Sequence, residues 1–210
     1  WDGYAWTGLT EDERGLMGLR GGRPLWEIFG AIPEPSRAPI RERALEMAAG
    51  MQAIEDRSRT DIMVRREGIR LPRTVDDYNL YCYYVAGTVG HMATDLVIQH
   101  YDLPDGAPAR LEALSEACGR GLQKTNIVKD FARDIGRGAC YLPDEWMAPV
   151  EWRPLALEGA PTSWTEHVLL DVLSELRDAT DYVLALPYSA QRYRQASLLS
   201  LFPAYQTLLL

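Results

Sequence analysis

Residues 122–142 read LQKTNIVKDFARDIGRGACYL, and the order of their polar groups makes sense only on an α-helix. Gln123, Asn126, Asp130, Asp134 and Arg137 are spaced by three, four, four and three residues. That spacing stacks two amides, two carboxylates and a guanidinium along one helix face. Two aspartates one turn apart repel each other and weaken an isolated helix. A cation between them removes the conflict. Hard divalent ions take oxygen ligands, and Mg²⁺ typically accepts one or two protein carboxylates while phosphate oxygens and waters complete its octahedron. The pattern N-x3-D-x3-D therefore suits a Mg²⁺–diphosphate better than a bare ion. A plainer reading competes with it. Lys129, Arg133 and Arg137 form a basic row beside the acidic one. Asp130–Arg133 and Asp134–Arg137 would then be ordinary i,i+3 ion pairs on a solvated face, each worth about 0.2–0.5 kcal/mol. The amides Gln123 and Asn126, in line with the carboxylates, favour the ligand reading.

A second dense segment, Tyr81–Gly90, reads YCYYVAGTVG. Taken as helix it has a small-residue face (Tyr83, Ala86, Gly87, Gly90) and an aromatic-to-polar face (Tyr81, Tyr84, Thr88, His91, Asp95). Glycine inside a helix costs about 1 kcal/mol relative to alanine, so two of them point to close approach of another backbone or a ligand. Tight helix packing with tyrosines as core filler accounts for the same residues.

Together the two segments resemble the squalene/phytoene synthases, the head-to-head trans-prenyltransferases. The family pattern is Y-C-x-x-V-A-G-x-V-G, then L-Q-x-x-N-I-x-(R/K)-D-x-x-x-D, then R-G-x-x-Y-L-P. Every fixed position is met, in order, between Tyr81 and Pro143. Weaker similarity runs through ALPYSAQRYR…PAYQTL and back to Gly50–Met51, and the Lys of LQKTNI is most similar to squalene synthases. The resemblance implies an all-α, single-domain bundle around a central cavity. It implies Mg²⁺-dependent condensation of two farnesyl diphosphates through presqualene diphosphate to squalene, with NADPH as hydride donor. Phytoene or dehydrosqualene synthase is the nearest alternative, and a non-catalytic isoprenoid-binding helical subunit the next.

By the same resemblance Tyr81, Asp130 and Asp134 are catalytic, and Asn126, Asp130 and Asp134 hold the metal. Tyr84, Gln123, Asn126, Lys129 and Arg137 are implied to contact the diphosphate substrate. Tyr81 would stabilise a cation through its ring and move a proton through its hydroxyl. Lys129 stands where Arg is common and offers a point charge rather than a bidentate fork. Four departures from the pattern stand out, one of them at Ala196–Ser200, where squalene synthases carry F-C-x-x-P and the aromatic is missing. The first aspartate-rich motif, D-x-x-(E/D)-D, occurs nowhere, so the chain is expected to begin after it and, alone, to turn over negligibly. Arg133 replaces the usual acidic residue before the last Asp, and Ala139 replaces a basic residue common in R-G-R-x-Y-L-P.

The remaining sequence narrows the class. A net charge of −8 argues against nucleic acid as a partner, because an acidic protein must overcome phosphate repulsion. Cys82, Cys118 and Cys140 form no C-x-x-C pair and suggest free thiols in the reducing cytoplasm. No apolar run approaches the roughly 18 residues that a membrane span needs. The apolar stretch Leu198–Leu210 is interrupted by Pro203 and Gln206 and reads as a core helix. An oily product would still favour peripheral work at a membrane surface.

Helical periodicity dominates, strand alternation is absent, and essentially no sheet is expected. Thr10 with Glu13 resembles a capping box for a helix ending at Gly21–Gly22. Ile40, Ala44, Met47, Met51 and Ile54 predict a helix of about twenty residues after Pro39. Thr74 with Asp77 starts the helix of the tyrosine motif, and Leu103–Pro108 breaks it from the aspartate helix. Leu169, Val172, Leu176, Ala179, Val183 and Leu186 form another stripe, stopped by Pro187, with a final helix after Tyr188.

Overall fold

The computed structural model describes residues 10–12, 15, 22–56, 61–147 and 160–209. Glu13 and Gly21, which carried the expected first cap and stop, lie outside these residues, and Gly22 opens a helix rather than closing one. Helix α1 (Gly22–Ala31) leads into α2 (Glu34–Glu55). α2 begins before Pro39, earlier than expected, with Pro35 in its first turn and Pro39 inside it. Pro39 has no N–H to give the Pro35 carbonyl. Gln99 Nε2 donates to that carbonyl instead, at 2.8 Å, so a distant residue repairs the break.

Strands β1 (Met63–Arg66) and β2 (Ile69–Pro72) form an antiparallel hairpin that corrects the strand-free expectation. Glu67 and Gly68 both adopt positive φ, 50° and 88°, the two-residue turn whose twist matches paired strands. Ile69 and Leu71, alternate residues of β2, are buried beside Tyr78, Cys82 and Ile127. The strands are short and carry three arginines, so alternation is hard to recognise before the core is known.

Thr74 caps α3 (Val75–Cys82) as expected. Its Oγ1 accepts from Asp77 N at 3.2 Å, and Asp77 Oδ2 accepts from Thr74 N at 3.0 Å. A wider π turn, Tyr83–Gly87, joins α3 to α4 (Thr88–His100). After Gly106, at φ 80°, comes the long helix α5 (Ala107–Gly136), about 45 Å at 1.5 Å per residue. The rod of α3, π turn and α4 meets α5 backbone to backbone. A Cβ on Gly119 would lie 1.9 Å from the Ala86 carbonyl oxygen, and one on Gly90 would lie 2.0 Å from that of Ser115. This is the close approach that the small-residue face predicted.

The chain continues through α6 (Asp144–Met147), α7 (Thr162–Ala185), a short turn at Tyr188–Ala190, and α8 (Gln191–Thr207). The predicted stripe on α7 is real: Val172, Leu176 and Ala179 are fully buried against Leu111 of α5 and Leu201 of α8. Each large side chain of this kind contributes about 1.5–3 kcal/mol on burial. α8 is less of a core helix than its composition suggests. Leu201 and Ala204 are buried, while Leu199 and Phe202 face outward. Among the described residues no helix is long and apolar enough to cross a membrane.

Candidate functional site

The acidic stripe lies beside the buried face of α5 rather than on it. Gly121, Lys124, Thr125 and Ile127 are buried, whereas Asn126 is exposed and Gln123, Asp130 and Asp134 are half-buried. The two readings of the stripe differ on which ion pairs form. Arg133 pairs with Asp130 at 2.6 Å, and Lys129 approaches Asp130 at 3.9 Å while donating to Asn126 Oδ1 at 3.0 Å. The second expected pair does not form. Among the described residues the Asp134 carboxylate has no ion-pair partner, and the Arg137 guanidinium has none either. Ordinary surface pairing therefore explains half of the stripe and leaves its C-terminal carboxylate open.

The end of α5 explains where Arg137 goes. The Asp134 carbonyl accepts from Arg137 N at 2.9 Å and from Ala139 N at 3.0 Å, closing the last turn. Gly138, at φ 79°, then reverses the chain. Residues 138–140 run beside β2: Arg70 N donates to Gly138 O at 2.9 Å and Cys140 N to Arg70 O at 2.8 Å. The hairpin thus docks on the R-G-x-x-Y-L-P string, and Arg137 lines the cleft between them.

Tyr81 and Tyr141 stack there, ring centroids 4.7 Å apart and planes 15° from parallel. Burial, then the neighbouring Tyr141 hydroxyl, pushes the Tyr81 phenol well above its ordinary pKa. Burial also raises Tyr141, with smaller contributions from the charges of Glu55 and Asp134. Tyr141 thus ties the Y-L-P string to α3 through this stack. It belongs to a motif that sequence reading recognised, yet its role needed a partner sixty residues away.

Tyr84 is held differently. Its ring lies where a side chain on Gly50 of α2 would be, 2.1 Å from a Cβ built there. It packs with Tyr81 against Ile54, Ile62 and Met63. Tyr83 points elsewhere, its hydroxyl donating to Glu46 at 2.5 Å. The π turn thus sends neighbouring tyrosines to different partners, a feature frequent at functional sites.

Sequence reasoning missed Lys124. It is 1% exposed and binds Asp171 at 3.0 Å and Glu175 at 3.0 Å, both on α7. Its Nζ sits 4.9 Å above the Tyr78 ring. Arg120 reaches Glu175 at 3.0 Å and Glu116 at 2.5 Å. The available signal was a lysine falling on the same helix face as Gly121 and Val128. Asn126, Asp130 and Asp134 supply hard oxygen donors from successive turns, the donor chemistry that Mg²⁺ prefers.

The profile of the squalene/phytoene synthase family matches residues 7–209. Squalene synthase ERG9 of Gibberella zeae is 30% identical over 156 residues, which is 71% of this chain and 33% of that protein. The 15-cis-phytoene synthase of Enterobacter agglomerans is 41% identical over 78 residues, 36% of this chain and 23% of that protein. Among solved structures, TcSQS in complex with the ligand E5700 superposes with a TM-score of 0.64 at 24% identity, over 86% of this chain and 50% of that one. A dehydrosqualene synthase in complex with ligand gives 0.58 at 23%, over 80% of this chain and 52% of that one. Both share the all-α fold. The chain spans about a third of the curated squalene synthase and about half of the solved chains.

Proposed function

This chain belongs to the squalene/phytoene synthase family, and we propose that within its whole protein it serves the Mg²⁺-dependent head-to-head condensation of two farnesyl diphosphates, through presqualene diphosphate, to squalene. The observation that carries this reading is the Asp134 carboxylate, half-buried one turn from Asp130 and without an ion-pair partner among the described residues.

Asn126, Asp130 and Asp134 would hold the ion. Bound Mg²⁺ would neutralise charge growing on the departing diphosphate. Lys129 and Arg133, both more than half exposed, make pairs worth about 0–1 kcal/mol and so are free to turn toward phosphate oxygens. Gln123 extends the stripe by one turn and can donate an amide N–H to the same group. Burial keeps the Tyr81 hydroxyl protonated, so it can donate a hydrogen bond while its ring face meets a carbocation. Ile54 and Ile62, buried and packed beside it, are apolar surroundings that would help keep water from such a cation.

A second reading, phytoene or dehydrosqualene synthase, is supported by the 41% identical segment of the phytoene synthase. Incubating the complete protein with farnesyl diphosphate and Mg²⁺, with and without NADPH, separates the two. NADPH-dependent squalene supports the first. Identical products in both tubes move the assignment to the second. Absence of Mg²⁺-dependent pyrophosphate release contradicts both and leaves an isoprenoid-binding module. An oily product favours work at a membrane surface, and a cytoplasmic, membrane-peripheral placement belongs to the same proposal.

A further inference from the structure

A cleft of about 300 Å³ opens between the hairpin and the turn that ends α5. Arg65, Arg70 and Arg137 line it, together with Glu55 and Tyr141. Arg65 and Arg70 face each other across the strand pair, and like charges directly opposite destabilise such a pair. Arg137 adds a third cation from the end of α5. Among the described residues one carboxylate, Glu55, lines the cleft against these three guanidinium groups.

Helix capping explains part of this. α2 and α5 both end nearby, and the carbonyl ends of helices attract cations. Arg70 fits that account: it pairs with Glu55 at 2.9 Å and donates to the Ile54 carbonyl at the end of α2. Arg65 does not. It sits on neither helix, and its hydrogen bond among the described residues is a 3.4 Å contact to the Gly68 carbonyl of its own turn. Arg137 has no side-chain partner among the described residues. Among the described residues Arg65 and Arg137 thus line a shared cleft without ion-pair partners, its one carboxylate, Glu55, being taken by Arg70. The cleft is also fixed in place. Its walls are joined by the backbone bonds between Arg70 and residues 138–140, and Arg66 ties the hairpin to Asp144 of α6 at 2.7 Å.

We propose that this cleft is a second anion site that receives a diphosphate group, with Arg65 and Arg137 donating to phosphoryl oxygens and Arg70 holding the wall. It rests on the reading of the chain as a prenyl-diphosphate enzyme and adds a place for the diphosphate outside the acidic stripe. Guanidinium groups match phosphate oxygens in charge and geometry. The group can arrive attached to an isoprenyl chain or free after release.

Titrating inorganic pyrophosphate into the purified protein calorimetrically, with a chelator present, reads this site without the metal stripe. The wild type binds. Arg65→Gln and Arg137→Gln each weaken binding about tenfold, the loss expected for one charge-assisted hydrogen bond. Arg65→Lys and Arg137→Lys recover part of it, and Arg192→Gln, at an exposed position on α8, leaves it unchanged. Unchanged melting temperatures show that the variants fold. Equal pyrophosphate affinity in the wild type and both glutamine variants overturns the proposal. An unreactive farnesyl thiodiphosphate that competes with pyrophosphate identifies the esterified group as occupant; failure to compete identifies the released one. Pyrophosphate binding that is lost in the variants supports the cleft even where the protein shows no turnover. Normal turnover with unaltered pyrophosphate binding in the variants removes the cleft and leaves the condensation reading intact.

Discussion

Lys124 and Asp134 lie ten residues apart on one helix, in opposite electrostatic situations. Lys124 is buried and meets two carboxylates from α7, one of them shared with Arg120. Asp134 is half-buried and meets no cation among the described residues. A charge taken out of water is tolerated when its partners are fixed around it. The inner cluster meets that condition within the chain, so it sets how α5 and α7 lie against each other. Among the described residues the outer stripe does not, and its second carboxylate has a like charge one turn away and no cation beside it. α5 is therefore oriented from the inside by the Lys124 cluster, while the acidic stripe stays on its more exposed side.

The contrast is most easily undone at Lys124. Lys124→Met leaves Asp171 and Glu175 without their buried cation, and unfolding in denaturant should show a loss of about 3–5 kcal/mol. A loss below about 1 kcal/mol would mean that the cluster is effectively solvated and that the two sets of charges differ little. Gly119→Ala acts on the same inner side by sterics. The new methyl would meet the Ala86 carbonyl at 1.9 Å, and the overpacked crossing should lose about 1–3 kcal/mol in a thermal melt.

On the outer side the signs reverse. Asp134→Asn removes one of two repelling carboxylates, so stability should stay level or rise by up to about 0.5 kcal/mol, while Mg²⁺-dependent turnover of the complete protein is lost. A clear drop in melting temperature would assign Asp134 to structure.

The smallest effect concerns Glu46. The Tyr83 hydroxyl, then Arg43, holds the Glu46 carboxyl below its ordinary range. A carboxyl whose folded pKa is lowered binds fewer protons when folded than when unfolded. Its stabilisation is therefore present above the usual carboxylate pKa of about 4.3 and fades as pH falls through the lowered value. Tyr83→Phe should lose less than about 1 kcal/mol at pH 7, since the pair is part-exposed, and the deficit should vanish in acid. A deficit that persists below pH 3, about a unit under the usual carboxylate pKa, would place the effect in packing instead.

The same contrast decides what was legible in the sequence. On a helix, spacing fixes direction, so the order of Gln123, Asn126, Asp130 and Asp134 along the chain is enough to place them on one face. The α7 stripe and the Thr74 cap were legible for that reason too. Lys124, Tyr141 and Arg70 were not, because their meaning lies in partners from α7, α3 and α2 that local periodicity does not reach. The hairpin escaped because its buried residues on β2, Ile69 and Leu71, alternate with an arginine that lines a neighbouring cleft. Pro39 misplaced a helix start because its missing hydrogen bond is replaced by Gln99, far along the chain.

The central claim is that the α5 stripe is half of a Mg²⁺–diphosphate site. It is tested most directly by measuring how an unreactive farnesyl diphosphate analogue binds the complete protein, with Mg²⁺ or with chelator, in the wild type and in Asp130→Asn and Asp134→Asn. The account predicts that Mg²⁺ strengthens binding in the wild type and that either substitution removes the Mg²⁺-dependent part while the fold melts as before. Binding that ignores both Mg²⁺ and the two aspartates would contradict it.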